Sequence, residues 1–478
     1  MATRRRKMKI SPRSEPQAPL PRSQTKAVAA TLRAALSPRD LRHSGFASHP
    51  PSRSSGEAGS EAATGVVPAM ITRFFSAPKL WPAHEQHVRR VGWIELFYDL
   101  VFAAAISQLG TPFEADYSFQ GLARYAFLLA LVFLAWLGYT RFATQFAIDD
   151  LLERAFIVAQ VFLVAVMAAN ATGPLNSRDA AGFGAAYGGV RAILALQYLR
   201  VARLPATRSV VIRRIVGLAA AAIIWTASAL LPTPQRYTAW AFALLIDIVN
   251  SWPPARSTHL LPPGAAHFPE RFGLLTIILL GEFVASVMRG IESQIGWSFL
   301  AASAAVLSLA LGFAIWSGYS DGAAGWEVRH VRSTRDVIQL RVWIALHFLL
   351  FLGIGVLGVG ARRAIALPPG GHFDVTEQSL ICLATAGIVL VIMGIAATSE
   401  RHARSRRQWV WLSQAGIALV ALALAPLSSQ IIATALLLLL FLCFAAQIVV
   451  LIANRRLLAG RGESGWPRST PPATTSHS

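Results

Sequence analysis

Two carboxylic acids stand one helical turn apart in an otherwise apolar stretch, at Glu95 and Asp99 in WIELFYDLVFAAAI. Residues at this spacing share one face of an α-helix, so both acids point toward the same neighbours. A third acid, Glu282, lies within the apolar stretch LLTIILLGEFVASV. Carboxylates in apolar surroundings can bind a cation, exchange a proton or neutralise a buried basic group. One of these three kinds of chemistry must explain why the acids are there.

Other charged or titratable side chains also fall in or beside apolar stretches, namely Arg191, Asp247, Glu270, Arg271 and His347. An ionised side chain is costly in hydrocarbon, so such residues usually face a bundle interior or a water-filled cavity. We predict that Arg191 lies within ion-pair distance of an acid inside the membrane, because an unpaired guanidinium is too costly there. Its candidate partners are Asp99, Asp247 and Glu282. His347 can relay protons near neutral pH or serve as a hydrogen-bonded core histidine.

The sequence leaves two interpretations of these residues open. In the first, they form buried ion pairs that fix how the helices pack, with no ligand. In the second, they line a polar path or site for an ion, a proton or a small solute near the middle of the membrane. For the second we predict two layers of acids in one interior region. Glu95 and Glu270 would lie near its cytoplasmic mouth, and Asp99 and Glu282 would lie deeper.

The composition is that of a membrane protein. Of 478 residues 54% are hydrophobic, and the mean hydropathy of +0.49 is too high for a soluble globular protein. A helix needs about 20 apolar residues to cross about 30 Å of hydrocarbon, and such stretches recur from Trp93 to Asn454. We predict an all-α membrane protein in a lipid bilayer, with about twelve transmembrane helices. Their approximate ranges are 93–111, 119–138, 154–172, 183–201, 214–231, 236–252, 271–289, 297–318, 338–361, 378–397, 408–425 and 430–453.

The arginines predict how these helices are oriented. The net charge is +20. If the N-terminus is inside, the cytoplasmic connections carry about three times as many arginines as the opposite ones. Because positive charge accumulates on the cytoplasmic side, we predict an inner (plasma) membrane protein with both termini in the cytoplasm. The basic composition therefore reflects topology, and no nucleic-acid partner is expected.

Three regions follow from the change in composition along the chain. Residues 1–75 are rich in Pro, Ser, Arg and Ala, which predicts a disordered basic tail. This stretch also looks like a transit peptide, and translation from Met70 is an equal alternative. Residues 76–455 form the predicted transmembrane domain, and 456–478 a second disordered tail.

An internal repeat is visible in three ordered matches. Glu95 and Glu270 each open a predicted span, AWLGYT (135–140) recurs as IWSGYS (315–320), and DDLLERAFIVAQ (149–160) resembles DVIQLRVWIALH (336–347). These matches predict two parallel six-helix halves, 93–252 and 271–453, related by an axis along the membrane normal.

Signatures of soluble enzymes are missing. The sequence has no Walker loop, no dinucleotide-binding glycine fingerprint and no HExxH motif. No catalytic residue or cofactor is therefore predicted. Cys382 and Cys443 fall within apolar spans, so no disulfide framework follows. His259, His267 and Glu270 share one predicted loop, but their spacing is too weak to predict a metal site.

Glycines and aromatic residues flank the acids. Close helix packing is predicted at Gly273, Gly281, Gly353, Gly355, Gly358 and Gly360. The acid pair on the first span is predicted to be wrapped by Trp93, Phe97, Tyr98 and Phe102, of which Trp93 stands at the membrane entrance.

These residues resemble the motifs of one family. GWIELFYDLVFAAAI resembles the W-x-E-L-F-x-D-L-V-F signature of the bacterial low temperature requirement protein A family, matching at Trp93, Glu95, Leu96, Phe97, Asp99, Leu100, Val101 and Phe102. The family's E-R-x-G-L-x-x-I-x-x-L-G-E motif is matched at Glu270, Arg271, Gly273, Leu274, Ile277, Leu280, Gly281 and Glu282, with His267 just upstream. A third motif, W-x-x-Y-x-D, survives at Trp316, Tyr319 and Asp321, although its aromatic stretch is thinned. The resemblance covers about residues 85–455.

The resemblance implies a multi-pass membrane protein with a role in growth at low temperature, and it implies no particular molecular activity. The first motif also resembles, more faintly, one in potassium channels built from two six-helix repeats, an analogy that sets no substrate. Our leading hypothesis is a transporter or channel for an ion or small solute, which a water-accessible cavity at Glu282 would favour. A membrane-embedded enzyme or lipid-handling protein is the alternative, and a lateral opening beside Glu95 and Asp99 would favour it. A structural protein without a ligand would have no cavity and every charge paired. The substrate, the coupling ion and the oligomeric state stay open.

Overall fold

A computed structural model describes residues 78–81, 91–173, 177–294, 298–323, 328–398, 408–428 and 430–459. Almost all of these residues are helical, and the only strands among them are the short pair β1 (Lys79–Leu80) and β2 (Phe146–Ala147), which run antiparallel. The predicted tail 1–75 lies outside the described residues, as does most of 456–478. The last helix continues to Ala459, four residues into that second tail.

The described ranges contain twelve long helices, which we number in chain order. They are α1 Trp93–Ala115, α2 Phe119–Gln145, α3 Leu151–Ala169, α4 Arg178–Val201, α5 Arg208–Ser228, α6 Gln235–Ser251, α7 His267–Glu292, α8 Phe299–Ser317, α9 Thr334–Ala366, α10 Val375–Ala397, α11 Gln408–Leu424 and α12 Ala433–Ala459. A short helix, Ala255–Leu260, precedes α7, and a π-helical turn, Gly318–Ala323, follows α8.

Ten of the described helices are long and apolar enough to cross a membrane. The two that fall short are α4, which carries Arg178, Asp179, Arg191 and Arg200, and α6, which has only 17 residues. Helix α11 is equally short, but a 3₁₀ turn extends its span to Leu427. The prediction of an all-α membrane protein is confirmed. The number of twelve spans stays a prediction, because composition does not establish that α4 and α6 cross.

Apolar side chains cover the outer surface of the bundle. Phe162, Ile223 and Val306 are each at least 65% exposed, as expected where helices meet lipid. The predicted aromatic wrapping of the acid pair is only half right. Tyr98 and Phe102 are fully buried beside it, whereas Trp93 and Phe97 are exposed, since they lie on other faces of α1.

Glycines on α9 permit close helix packing. A Cβ atom on Gly353 would come within 2.7 Å of Ile388 on α10, and one on Gly360 would come equally close to Ile381. The predicted packing role is therefore confirmed on α9. Gly281 on α7 differs, because a Cβ atom there would meet nothing within 4 Å.

The tightest glycine contact on α9 predicts a steric effect. A Cβ atom on Gly355 would overlap the hydroxyl of Tyr125, whose ring stacks on Phe113 with centroids 5.0 Å apart. We expect Gly355→Ala to destabilise the folded protein by about 1–3 kcal/mol through overpacking. Thermal unfolding in detergent measures this loss. Adding Tyr125→Phe removes the closest clashing atom but leaves Cζ within 2.8 Å, so it should restore part of the stability; no recovery at all would contradict the steric explanation.

The two sets of six helices share most of their pattern of neighbours, although α2 also packs on α4 and α8 on α9 without a matching contact of similar extent in the other set. In the first set α1 packs on α2 and α3, the series α3, α4, α5 and α6 packs in order, and α2 also meets α6. In the second set α7 packs on α8 and α9, the series α9, α10, α11 and α12 packs in order, and α8 meets α12. The sets meet mainly where α1 and α2 pack on α7 and α9. This pattern is the one that a parallel duplication would give, and superposition of 93–252 on 271–453 is its test.

Candidate functional site

The pair of helices α1 and α7 is joined by a fully buried ion pair. Asp99 and Arg271 are both 0% exposed, and the guanidinium donates to both carboxylate oxygens. The indole Nε1 of Trp136 on α2 donates a further hydrogen bond of 2.7 Å to Oδ1 of Asp99. Aromatic rings of Tyr98, Trp136 and Tyr139 lie 5.7–6.0 Å from the guanidinium carbon. The pair thus neutralises two charges where neither meets water.

The position of Arg271 corrects the sequence-based boundary of the seventh span. That span was predicted to start at residue 271, which placed this arginine at the cytoplasmic surface. Helix α7 instead starts at His267, so Arg271 lies one turn after the start of the helix, and its side chain is buried.

A second cluster lies at the N-terminal ends of α1 and α7. His267 Nε2 is 3.1 Å from Glu95 Oε2, and His267 Nδ1 is 3.6 Å from Glu270 Oε2. These are ion-pair distances, although neither ring nitrogen has hydrogen-bond geometry with a carboxylate. Glu95 also accepts a 3.0 Å bond from the Gly92 amide. Among the described residues, no three His, Cys, Asp or Glu side chains are arranged to hold a metal ion.

Arg191 pairs with Asp247, one of its three predicted partners. Nε of Arg191 lies 3.1 Å from Oδ1 of Asp247, outside hydrogen-bond geometry, and both side chains are 2% exposed. Tyr187 connects the two, since its hydroxyl accepts from Arg191 and donates to Asp247 at 2.9 Å. Trp225 Nε1 donates to the same carboxylate at 3.2 Å. Arg191 therefore lies within ion-pair distance of Asp247, and the pair joins α4 to α6; that it lies inside the membrane stays a prediction.

His347 has the geometry of a hydrogen-bonded core histidine, one of its two predicted roles. Its Nδ1 lies 2.8 Å from the Trp343 carbonyl oxygen, which can only accept, so Nδ1 carries a proton. Nε2 lies 3.1 Å from the Tyr319 hydroxyl. The residue is fully buried and its ring packs against Phe272 with centroids 5.0 Å apart.

A layer of aromatic side chains lies next to the buried Asp99–Arg271 ion pair, on the side toward the C-terminal ends of α1 and α7. Phe272 packs against Trp136, Trp343 and His347 with centroid distances of 4.5–5.0 Å. Phe133 connects this group to Phe351, whose ring centroid is 5.9 Å away. Sequence analysis missed this layer, because its members lie on α2, α7 and α9.

Beyond that layer lies a cavity of about 150 Å³ between α1, α7 and α9, which we name the Glu282 cavity. The character of the lining residues changes in the same order along α1, α7 and α9. Ile106, Leu279 and Phe351 come first; Ser107, Glu282 and Gly355 come next; Thr111, Ser286 and Gly358 follow; and Glu114, Arg289 and Arg362 lie in or beside the last turns. The cavity therefore has an apolar floor, an acid above it and a charged mouth.

Only some of the charged side chains in this cavity have a partner of opposite charge. At the mouth, Arg362 forms an ion pair with Glu114. Nη2 of Arg289 donates a 2.8 Å hydrogen bond to the Ser286 hydroxyl. In the described part of the chain, no hydrogen bond or ion pair joins Glu282 to another side chain. The half-buried Glu282 carboxylate is thus available to a ligand.

The structure separates acids that the sequence placed together. Glu95 and Asp99 lie near His267 and Arg271, while the Glu270 side chain is 40% exposed at the end of α7. Glu282 lies in its own cavity, whose α1 wall begins at Ile106, two turns beyond Asp99. Glu95 and Glu270 thus share the neighbour His267, as an outer layer would require. The expected inner layer of Asp99 and Glu282 is not formed, because Asp99 pairs with Arg271 and Glu282 lies eleven residues farther along α7.

Several residues of the cavity were not predicted, notably Glu114, Arg289 and Arg362. Their signal was present, since each is a charge within one turn or so of a helix end. The sequence assigns Arg289 and Arg362 only to the outer connections and gives Glu114 no role, because it does not show that three helix ends converge.

The motif residues fall at the meeting of the two halves. Asp99 from the first motif and Arg271 from the second form the buried pair, and Glu282 from the second motif faces the cavity. The family model for the bacterial low temperature requirement A protein matches residues 90–451. The chain belongs to this family. The match extends from the start of α1 into α12, so all described contacts of these motif residues lie within the family region.

The third family motif is only partly described. Trp316 is 39% exposed on α8, and Tyr319 is buried against His347; the side chain of Asp321 lies outside the described residues. No curated protein and no solved structure matches this chain. The site must therefore be interpreted from its own geometry.

Proposed function

We propose that this member of the low temperature requirement A family moves a small solute or ion across the membrane, with the Glu282 cavity as its binding site. The observation that carries the proposal is an unpaired carboxylate in a partly polar cavity between helices of both halves. Ionisable groups kept at membrane depth usually mark a pathway or a binding site. A structural protein would have no need of an unpaired acid at this place.

The aromatic layer gives this site a closed end. Phe351 and Leu279 form the floor of the cavity, and Phe272, Phe133 and Trp136 lie between it and the Asp99–Arg271 pair. In the orientation that we predict from the arginines, the mouth faces away from the cytoplasm. A solute bound at Glu282 would then reach the cytoplasm only when the aromatic layer opens, as a change between two states in alternating access would allow.

The buried pairs have a different role in this proposal. Asp99 with Arg271 and Arg191 with Asp247 are closed to solvent and mutually neutralised. They fix the positions of α1 against α7 and of α4 against α6. A role in growth at low temperature, an inner-membrane location and cytoplasmic termini complete the proposal; they come from the family name and the charge distribution.

Replacing Glu282 tests the proposed site. Glu282→Gln keeps the shape of the side chain and removes its charge, so we expect at least a tenfold loss of flux in proteoliposomes. The assay follows ⁸⁶Rb⁺, protons by an internal pH dye, and a set of radiolabelled small organic solutes. Glu292→Gln is the matched control, because it removes an exposed carboxylate near the end of the same helix.

The same measurement can reject the proposal. If wild-type protein transports one of these probes and Glu282→Gln transports it equally fast, the Glu282 cavity is not the site. If no probe moves, and cells expressing Glu282→Gln grow at low temperature like wild type, the proposed transport function fails.

A further inference from the structure

We infer that the solute bound in the Glu282 cavity is a small zwitterion, with its ammonium group at Glu282 and its anionic group at Arg289. This inference rests on the proposed function and names the substrate class of that site. It follows from three features of the cavity: two opposite charges that lack charged partners, their separation, and the volume between them.

The first feature is the choice of charges. The lining contains two acids and two arginines, of which Glu114 and Arg362 neutralise each other. Among the described residues, Glu282 has no partner, and Arg289 is bonded only to the neutral hydroxyl of Ser286. The cavity is therefore neutral overall but strongly polarised along its axis. A ligand with one positive and one negative group satisfies both ends, whereas a simple ion leaves one charge unsatisfied.

The second feature is the distance between the charges. Glu282 and Arg289 are two helical turns apart on the same face of α7, roughly 10 Å along the axis. The 2.8 Å bond from Arg289 to Ser286 shows that the guanidinium reaches back by one turn. The charged groups are thus separated by about 5–10 Å. That distance accommodates an ammonium and a carboxylate joined by a few methylene groups.

The third feature is the size and surface of the space between them. A cavity volume of about 150 Å³ admits only a small solute. Hydroxyl groups of Ser107, Thr111 and Ser286 line one part, and Ile354, Phe283 and Val359 offer apolar contact. Small-molecule sites combine apolar walls with a few placed polar groups in this way.

A bare metal cation fits the same space less well. Divalent cations need six or more oxygen ligands, several of them usually carboxylates. Glu282 is the only acid in the inner part of the lining, because Glu114 lies two turns farther out on α1 and is paired. An ammonium group needs only a carboxylate and one or two hydroxyl acceptors, which are present.

Binding of matched probes tests the class of ligand. The zwitterions are β-alanine, γ-aminobutyrate and 5-aminovalerate, and the single-charge analogues are n-butylammonium and butyrate. We expect one zwitterion to bind wild-type protein in nanodiscs at least tenfold more tightly than both analogues. Glu282→Gln and Arg289→Gln should each weaken that binding at least tenfold, Arg289→Lys should weaken it less, and Glu292→Gln should leave it unchanged.

A filling variant separates binding from charge. A Cβ atom on Gly358 would point at Ser286 and Phe283 from 3.5–3.7 Å, so Gly358→Leu places a side chain inside the cavity. It should abolish zwitterion binding while size-exclusion profiles stay unchanged. If that variant aggregates, Arg289→Gln, at the partly open mouth, still decides whether binding requires the positive charge.

The outcomes distinguish the two proposals. If ⁸⁶Rb⁺ flux depends on Glu282 and none of the three zwitterions binds, transport stands and the zwitterion inference is wrong. Equal binding of n-butylammonium and the best zwitterion, with no effect of Arg289→Gln, also overturns the inference. Zwitterion binding that survives Glu282→Gln refutes both the inference and the proposed site.

Discussion

Asp99→Asn is expected to destabilise the folded protein by about 3–5 kcal/mol, because it leaves the Arg271 guanidinium buried without its counter-charge. Both side chains are 0% exposed, so water cannot replace the lost carboxylate. The Trp136 indole can still donate to the side-chain amide oxygen of the variant. The loss of stability therefore measures the missing charge and not a change in side-chain shape. Unfolding by SDS titration in mixed micelles measures the effect.

Two companion variants make this result specific. Asp149 forms an exposed ion pair with Arg154, in which Oδ1 lies 2.9 Å from Nη2. Asp149→Asn removes the charge of this acid and should lower the free energy of unfolding by less than about 1 kcal/mol. Asp99→Asn combined with Arg271→Met removes both buried charges and should recover much of the stability. If Asp99→Asn is as mild as Asp149→Asn, the buried pair does not hold α1 against α7.

Arg191→Met is expected to have an effect of similar size, about 3–5 kcal/mol, because the Asp247 carboxylate stays buried without a cation. Tyr187 and Trp225 still donate to that carboxylate, so the residual loss belongs to the missing charge. The pair lies between α4 and α6, and neither helix lines the Glu282 cavity. Unfolding of purified protein in detergent, followed by tryptophan fluorescence, measures it.

The control for this prediction removes the acid as well. Arg191→Met with Asp247→Leu leaves an apolar pair between α4 and α6 and should restore most of the stability. Zwitterion binding in the refolded double variant should equal that of wild type, since the cavity is lined by α1, α7 and α9. Lost binding without lost stability would show that Arg191 belongs to the transport path.

Some contacts followed from single residues and their cost in a membrane. Arg191 had to find an acid because an unpaired guanidinium in hydrocarbon is unfavourable, and Asp247 was among three candidates. The choice between them required the structure. Asp99 was excluded because Arg271 already fills the position beside it.

The helices, their approximate ends, the membrane environment and the residues at which charge enters it follow from the sequence alone. Each of these depends on composition and periodicity along one segment, which a single chain displays directly. The three-dimensional packing determines which charges pair, that Glu282 has no partner among the described residues, and that Glu114, Arg289 and Arg362 converge at its cavity. Those outcomes depend on the axial shift and rotation of one helix against another. Such shifts are set by side-chain packing over the whole bundle, as where Gly355 admits Tyr125, and no local pattern encodes them.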